Sequence, residues 1–411
     1  MASRYTAPSI VSPFIVSWNI TKRCNLKCAH CYLDATELAG RAEATTKEAR
    51  RYIDEIAGLN PHAMLILTGG EPLMRPDIFD ISRYAATRGL TVAIGTNGVM
   101  LDNGTVRAMK ENLVSGVGVS LDSASPAHHD RFRGMAGAWE ATVRGMEALR
   151  SSGLDFQVQF TVTRENRHEV PAIIKLAEDA GARAVNIFFL VCTGRGSQMT
   201  DLTAAEYEET LNCLMAADVE RKSSMMVRAR CAPHILRIAE EKGAGSPLKF
   251  MTSGCIAGRG YLRISPEGFV TPCPYIPVTE NSPRLGETTL RDICHTDPLL
   301  RSLAGPSLNG RCGDCEYAEL CGGCRARALA TTKDLMGEDN WCEYTPKKTE
   351  AKRIMEEKEL VWEDAALENL KKVPSFVRPM VKKGIEKYAR GNGIERITTE
   401  VMEDIRAKMG K

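Results

Sequence analysis

Cys24-Asn25-Leu26-Lys27-Cys28-Ala29-His30-Cys31 places three thiols within eight residues, directly after the apolar run Phe14–Ile20. That run reads as a buried strand, so the thiols sit on the loop leaving its carboxyl end. Thiolates at this spacing suit a soft metal centre, and iron–sulfur clusters are held by Cys. Three cysteines on one loop leave a four-iron cluster with one iron lacking a protein ligand, open to a cofactor. A structural zinc knuckle or chance clustering is the competing explanation. Zinc asks for a fourth local Cys or His, and His30 is too close in sequence to Cys28 and Cys31 to chelate easily beside both.

Outward from this loop, β-rich apolar runs at Ala63–Thr68, Leu90–Gly95, Gly116–Leu121, Phe156–Thr163 and Ala184–Val191 alternate with helical stretches. The helices are expected at Thr46–Leu59, Asp77–Arg88, Thr105–Asn112, Ala138–Ser151 and Asn166–Ala180. Six βα repeats predict an α/β fold with a parallel sheet, and ligands at the carboxyl ends of its strands. Periodicity alone allows a partial barrel or a doubly wound sheet. At those strand ends, Thr68-Gly69-Gly70-Glu71-Pro72 offers close backbone approach to a ligand and a carboxylate that accepts from an ammonium group. Thr96-Asn97-Gly98 follows the third strand. Ser120-Leu121-Asp122-Ser123, after the fourth, supplies hydroxyl and carboxylate groups, or an ordinary helix cap. Residues 200–250 read as helical connectors, Ala204–Val219 and His234–Lys242.

Cys-x3-Cys-x2-Cys after a first strand, with Gly-Gly-Glu-Pro after the second, resembles the signature of the radical S-adenosylmethionine (SAM) superfamily. The resemblance implies a partial (β/α)6 barrel and a [4Fe-4S] cluster on Cys24, Cys28 and Cys31. It implies that SAM chelates the open iron through its amino and carboxylate groups. Reductive cleavage of SAM then gives a 5′-deoxyadenosyl radical that abstracts hydrogen from the substrate. It places His30 against the adenine, and Gly69, Gly70, Glu71 and Pro72 around the amino group of SAM. Ser120 and Asp122 fall at the ribose or carboxylate, and Asn97 on the same rim.

At 411 residues the chain is long enough for two or three domains. A net charge of +2 gives no case for a nucleic-acid partner, and no apolar run approaches a membrane span. Met1 to Ser12 is polar, with Arg4 its one charge, and shows no charged–apolar–cleavage pattern, so the expected location is the cytoplasm. Of fourteen cysteines, ten fall in the groups 24/28/31, 255/273 and 312/315/321/324/342. Clustering without a secretion signal reads as metal binding rather than disulfide bonding. Cys192, Cys213 and Cys294 read as buried apolar residues.

Cys255, a hairpin-like stretch over Tyr261–Thr271, Cys273, Cys312-x2-Cys315-x5-Cys321-x2-Cys324 and Cys342 resemble the SPASM extension, which carries auxiliary [4Fe-4S] clusters. Paired zinc ribbons are the alternative. The usual pattern has three residues between the last pair, where Gly322-Gly323 stand here. The resemblance implies an outer cluster on Cys312, Cys315, Cys321 and Cys342. An inner one takes Cys255, Cys273 and Cys324, with Cys231 or a substrate group as fourth ligand. Arg325 and Arg327 are candidates for pairing with carboxylates, although a solvated surface Arg is the commoner case.

Gly313–Tyr317, Cys321–Ala328, Glu338-Asp339 and Cys342-x-Tyr344-x-Pro346 resemble the enzymes that trim tetrapyrrole side chains in the alternative haem and haem d1 pathways. Beyond a charged linker, Glu350–Glu363, three short helices are expected. Phe376, Val377, Met380, Val381, Ile385 and Tyr388 share an apolar face there, and Thr398 caps the last helix. Trp362-Glu, Pro374–Arg378, Ile385–Arg390 and Ile397-Thr resemble the small C-terminal domain of the protochlorophyllide reductase B subunit. The expected organisation is an arm (1–13), a core barrel (14–225), an auxiliary-cluster domain (226–348), a linker (349–361) and a small helical domain (362–411). The expected activity is radical modification of tetrapyrrole side chains, with flavodoxin or ferredoxin as electron donor. The alternatives are a maturase acting on a peptide and an iron–sulfur carrier or scaffold without catalysis.

Overall fold

The computed structural model describes residues 12–36, 43–199, 202–220, 225–242, 254–347, 360–373, 378–392 and 394–409. Strands β1 (Ile15–Thr21), β2 (Met64–Gly69), β3 (Thr91–Thr96), β4 (Gly116–Ser120), β5 (Phe156–Val162) and β6 (Ala184–Phe189) each lie within two residues of the expected runs. Helices α1 (Thr46–Leu59), α2 (Ile78–Thr87), α3 (Asn103–Glu111), α4 (Pro126–Arg133), α5 (Ala138–Ser152) and α6 (Val170–Asp179) connect them. Then come α7 (Ala204–Glu220), β7 (Met226–Arg230), α8 (His234–Lys242), β8 (Tyr261–Ile264) and β9 (Val270–Thr271). Helices α9 (Leu290–Thr296), α10 (Pro298–Ala304), α11 (Gly310–Asp314) and α12 (Arg325–Thr332) follow.

The strands form one nine-stranded sheet in the order β7-β6-β5-β4-β3-β2-β1-β8-β9, parallel throughout except for the β8–β9 hairpin. Side chains alternate across a strand, and here the alternation separates two kinds of surface. Val16, Trp18, Leu65, Leu67, Val92, Ile94, Val117, Val119, Val158, Phe160, Val185 and Ile187 all enter the apolar core. The intervening Ser17, Asn19, Thr68, Gly95, Gly118, Gln157, Gln159 and Asn186 face the other way. A doubly wound sheet is apolar on both faces. This one is continuously apolar on one face and mainly polar or small on the other, where Ile66, Ala93 and Phe188 are among the apolar exceptions, which is the arrangement of a barrel wall with helices outside and a largely polar interior.

One strand went unread in the sequence. Met226-Val227-Arg228-Ala229-Arg230 lies in the region taken as helical connectors, yet it pairs with β6 as β7. With a single buried hydrophobe, Val227, its composition reads as surface. Hydrogen bonding to a neighbouring edge, not intrinsic propensity, makes it a strand. At the other end β8 pairs with β1, Ile15 opposite Tyr261, so the Cys-rich extension is continuous with the core sheet. Helix α1, started by a Thr45–Glu48 capping box, adds to this junction, with Tyr52 Oη donating to Leu285 O (3.2 Å) and Glu55 Oε2 accepting from Leu290 N (2.7 Å).

By contacts the chain divides into Met1–Gly313 with Tyr317–Glu343, and Asp314–Glu316 with Tyr344–Lys411. The second unit contains α13 (Asp364–Lys371), α14 (Arg378–Gly391) and α15 (Thr399–Met409) around Ala366, Leu370, Ile385, Ala389, Ile397 and Ile405. The expected cap is present, with Val401 N donating to Thr398 Oγ1 (3.3 Å). The unit is not purely helical, since β10 (Val361–Trp362) and β11 (Arg396–Ile397) pair in parallel. Of the expected apolar face, Val381 and Ile385 pack inward with Tyr388, whereas Phe376 and Val377 lie outside the described residues.

Trp18 is fully buried with its indole N–H unpaired. Trp18→Ala should cost about 3–5 kcal/mol of stability. Trp18→Phe, which keeps a ring and removes the orphan donor, should cost less. Thermal unfolding of both variants checks the order.

Candidate active site

The loop after β1 is held from two sides. Lys27 N and Ala29 N donate to Arg133 O (3.2 Å) and Phe132 O (3.0 Å) at the end of α4, and Cys24 N donates to Thr36 O (2.7 Å). From β2, Gly70 N donates to Thr21 O (2.8 Å) and Glu71 N to Arg23 O (2.7 Å). A Cβ on Gly70 would fall 2.2 Å from Arg23 O, and one on Gly69, at φ +138°, 2.4 Å from Thr21 O. The two glycines are therefore required by the backbone of the Cys loop itself.

Cys24 and Cys28 are buried and Cys31 half-buried, packed with Leu26, Ala35 and Val99. Burial pushes the Cys24 thiol up to about 11, the Leu26 amide opposes it, and Glu71, Cys28 and Cys31 raise it further. Burial also raises Cys28, against the Arg133 guanidinium, whose Nη1 lies 3.7 Å from Cys28 Sγ. Thiols that repel one another's charge while buried are stabilised as thiolates by cationic metal.

Glu71 is fully buried and accepts from Thr96 Oγ1 (2.9 Å to each oxygen), Asn97 N (2.8 Å) and Leu73 N (3.1 Å). Burial pushes its pKa up to about 7 despite these donors. Asn97 Nδ2 donates to Asn25 Oδ1 (2.7 Å), tying the third strand's end to the Cys loop. Pro72 is buried as the first residue of a short 3-10 turn. His30 stacks on Phe132, with ring centroids 4.7 Å apart, and its Nε2 faces Asp122 Oδ2 at 3.9 Å. Asp122 is fully buried; burial works against its charge, yet Arg133 (2.6 Å), His30 and His129 hold its carboxyl below the usual range. Ser120 closes β4 on the polar face. Arg133 and Asn25, which complete this constellation, carry no motif of their own.

The remaining motif cysteines form two further thiol groups. Cys231, at φ +57° just after β7, lies within electrostatic reach of Cys324 and Cys255. Cys273 senses Cys231, Cys324 and Cys255. These four form one group. In the other, Cys321 senses Cys342 and Cys312. Gly322 and Gly323 (φ +65° and +63°) make the turn that sends Cys321 and Cys324 to different groups. Backbone amides point at the sulfurs, Gly323 N to Cys321 Sγ and Asp339 N to Cys312 Sγ, both 3.5 Å. Cys315 is half-buried and belongs to the second unit.

Arg325 and Arg327 are buried rather than solvated. Arg327 pairs with Asp339 (2.9 Å), lies 4.1 Å over the Trp341 ring and donates to Cys231 O (2.9 Å). Asp339 also accepts from Cys324 N (2.8 Å), so this pair links the two groups. Among the other cysteines Cys294 is buried and Cys192 half-buried, whereas Cys213 is exposed on α7. An apolar residue there reflects helical position, not core packing.

Among the described residues no Cys is in a disulfide, and no three His, Cys, Asp or Glu side chains converge as ligands of a single ion. A cluster takes one thiolate per iron and so accepts thiols spread about a larger centre. The donor set of three sulfur groups, buried or half-buried and with amide N–H at the sulfurs, fits such clusters.

Residues 18–177 match the model of the radical SAM superfamily. AdoMet-dependent heme synthase of Methanosarcina barkeri is 40% identical over 347 residues, covering 82% of this chain and 98% of that protein. The chain belongs to the radical SAM superfamily. It is an enzyme whose family works with a [4Fe-4S] cluster and SAM. This radical SAM enzyme is also 30% identical to pre-heme d1 synthase of Dinoroseobacter shibae over 370 residues, covering 82% of this chain and 87% of the relative. Its fold is that of Streptococcus suis SuiB bound to the precursor peptide SuiA, at TM-score 0.68 and 17% identity, over 82% of this chain and 77% of SuiB. Residues 362–406 match the proto-chlorophyllide reductase 57 kD subunit, as the C-terminal resemblance led one to expect. Among the described residues no helix is long and apolar enough to cross a membrane.

Two outcomes follow from this geometry. Gly70→Ala meets rigid backbone and should cost about 1–3 kcal/mol or more, with loss of bound iron. Gly118→Ala meets only the movable end of Gln159 (2.4 Å) and should cost about 1 kcal/mol or less. Melting temperature and iron content distinguish them. His129 and His234 are held neutral by burial, each pushed down to about 4. Unfolded, each titrates near 6.5, so the unfolded chain binds more protons as pH falls below that value. Their contribution is complete above pH 6.5 and is lost progressively toward pH 4. His129→Gln should flatten the stability slope in this window by up to about 1.4 kcal/mol per pH unit. Denaturant midpoints between pH 7 and 5 measure it.

Proposed function

We propose that this enzyme modifies the carboxylate side chains of a tetrapyrrole, by decarboxylation or a related radical reaction on a haem precursor. The observation that carries the reading is identity of 40%, sustained over 98% of the M. barkeri heme synthase. The three thiol groups beside a polar barrel face supply the matching geometry. In this reading Cys24, Cys28 and Cys31 hold the SAM-binding [4Fe-4S] cluster. Cys231, Cys255, Cys273 and Cys324 hold an inner auxiliary cluster, and Cys312, Cys321 and Cys342 an outer one, with Cys315 added by the sequence motif. The separate domain organisation read from the sequence, and a flavodoxin or ferredoxin donor in the cytoplasm, belong to the same proposal.

When bound, the clusters and SAM supply one-electron chemistry, namely reductive cleavage of SAM, hydrogen abstraction by the 5′-deoxyadenosyl radical, and a site for the electron released on closing to product. The chain's own residues prepare the place. Glu71, fixed by Thr96 and two amides, presents an acceptor to the SAM ammonium. Arg133 keeps Asp122 ionised and sets a positive charge beside Cys28. His30, neutral and stacked on Phe132, offers an aromatic face to the adenine. Leu26 and Val99 keep water from the thiols.

The test is anaerobic reconstitution followed by iron analysis and incubation with dithionite, SAM and porphyrin acids. About twelve irons per chain are expected for three [4Fe-4S] clusters. A porphyrin that stimulates 5′-deoxyadenosine release and loses mass supports the reading. Porphyrin-independent cleavage redirects the search to peptides. Cys28→Ala should abolish 5′-deoxyadenosine, and its retention would overturn the assignment of the first group. Cys321→Ala should depress product formation more than SAM cleavage.

A further inference from the structure

The polar face of the sheet carries charge that the site described above does not use. On β7, Val227 enters the apolar core and Ala229 packs against it, so the alternate residues Arg228 and Arg230 face the barrel interior. Arg230 is aimed by a relay of amides. Its Nε donates to Asn186 Oδ1 (2.9 Å), and Asn186 Nδ2 donates to Gln157 Oε1 (2.7 Å). Arg228 touches the thioether of Met226 (2.7 Å) and feels Asp218 only at longer range. Among the described residues, neither guanidinium forms an ion pair. Half-buried guanidinium groups are costly without an anion, and here two strands contribute side chains that orient one without neutralising it. Arg263, a further cation at the β1–β8 junction, already donates through Nε to Asn19 Oδ1 (2.6 Å).

Position adds to the argument. Arg230 lies within electrostatic reach of Tyr261 and Cys231, and Tyr261 within reach of Tyr32 and Cys273. Tyr32 directly follows the first thiol group. Arg230, directly before Cys231, therefore borders the inner auxiliary group on the side of Tyr261, and Arg228 stands two residues back on the same strand face. Residues i and i+2 of a strand stand about 6.6 Å apart on one face, so Arg228 and Arg230 are neighbours there, each with guanidinium N–H groups beyond the one that meets Met226 or Asn186.

We propose that Arg228 and Arg230 bind carboxylate groups of the substrate, and so select a rigid poly-acid and hold it beside the inner auxiliary group. A guanidinium fork matches a carboxylate with two parallel hydrogen bonds. The inference rests on the tetrapyrrole reading and deepens it by naming the part of the substrate that is recognised.

The test is a titration of the reconstituted enzyme with coproporphyrin III, a tetracarboxylate, and with its tetramethyl ester, followed by porphyrin fluorescence. The wild type should bind the acid at least about tenfold more tightly than the ester. Arg228→Gln and Arg230→Gln should each weaken acid binding by about tenfold and leave ester binding unchanged. Arg230→Lys should restore part of the loss. Equal wild-type affinity for acid and ester overturns the inference while leaving the tetrapyrrole reading intact, and needs no variant to fold. Unchanged acid binding in the double Gln variant, at wild-type iron content, overturns it as well. A wild type that binds neither porphyrin overturns both the inference and the reading beneath it.

Discussion

Two amide hydrogen bonds, Gly70 N to Thr21 O and Glu71 N to Arg23 O, join the end of β2 to the start of the Cys loop. The rest of the site depends on this seam. It continues the β1–β2 ladder past the point where the register shifts between Asn19 and Thr21. It brings the Glu71 carboxylate under the first thiol group and requires glycine at residues 69 and 70. Through Glu71 the seam extends to Thr96 and Asn97, so the ends of three adjacent strands are fixed relative to one another.

The charges in the molecule are arranged around the sulfur groups. Arg133 is buried between Cys28 and Asp122, and Arg327 between the two auxiliary groups with Asp339 as its counter-ion. Buried guanidinium groups of this kind are tolerated because each has a carboxylate and a second acceptor, Cys28 Sγ for Arg133 and Cys231 O for Arg327. Asp339 is the more exacting position. Its carboxylate accepts from Cys324 N and Arg327, and its own amide donates to Cys312 Sγ. Tyr207 and His234 close the network from α7 and α8, with Tyr207 Oη 2.8 Å from His234 Nδ1. The auxiliary groups are thus mechanically and electrostatically coupled through neutral and paired residues.

Much of this was legible in the sequence because its requirements are local. Strand runs, the Cys spacing and Gly-Gly-Glu-Pro each express a need satisfied within a few residues. The strand Met226–Arg230 was not legible, since its pattern is that of solvated surface until β6 is beside it. Arg325 and Arg327 looked like surface cations for the same reason. Cys213 erred in the opposite direction, because an apolar residue on a helix gives no hint of which face it occupies.

The sequence by itself determined the kind of chemistry. It set the number and order of thiols, the strand ends at which they stand, and the carboxylate of the second loop, because ligand sets of this type are written into short spacings. The tertiary structure decided how those pieces meet. It put Arg133 against Cys28 across 105 residues and Arg327 against Cys231 across 96, and turned Arg228 and Arg230 inward. It also joined Cys231 to Cys255, Cys273 and Cys324. Such contacts arise when a curled parallel sheet brings distant strand ends together, and no local pattern encodes them.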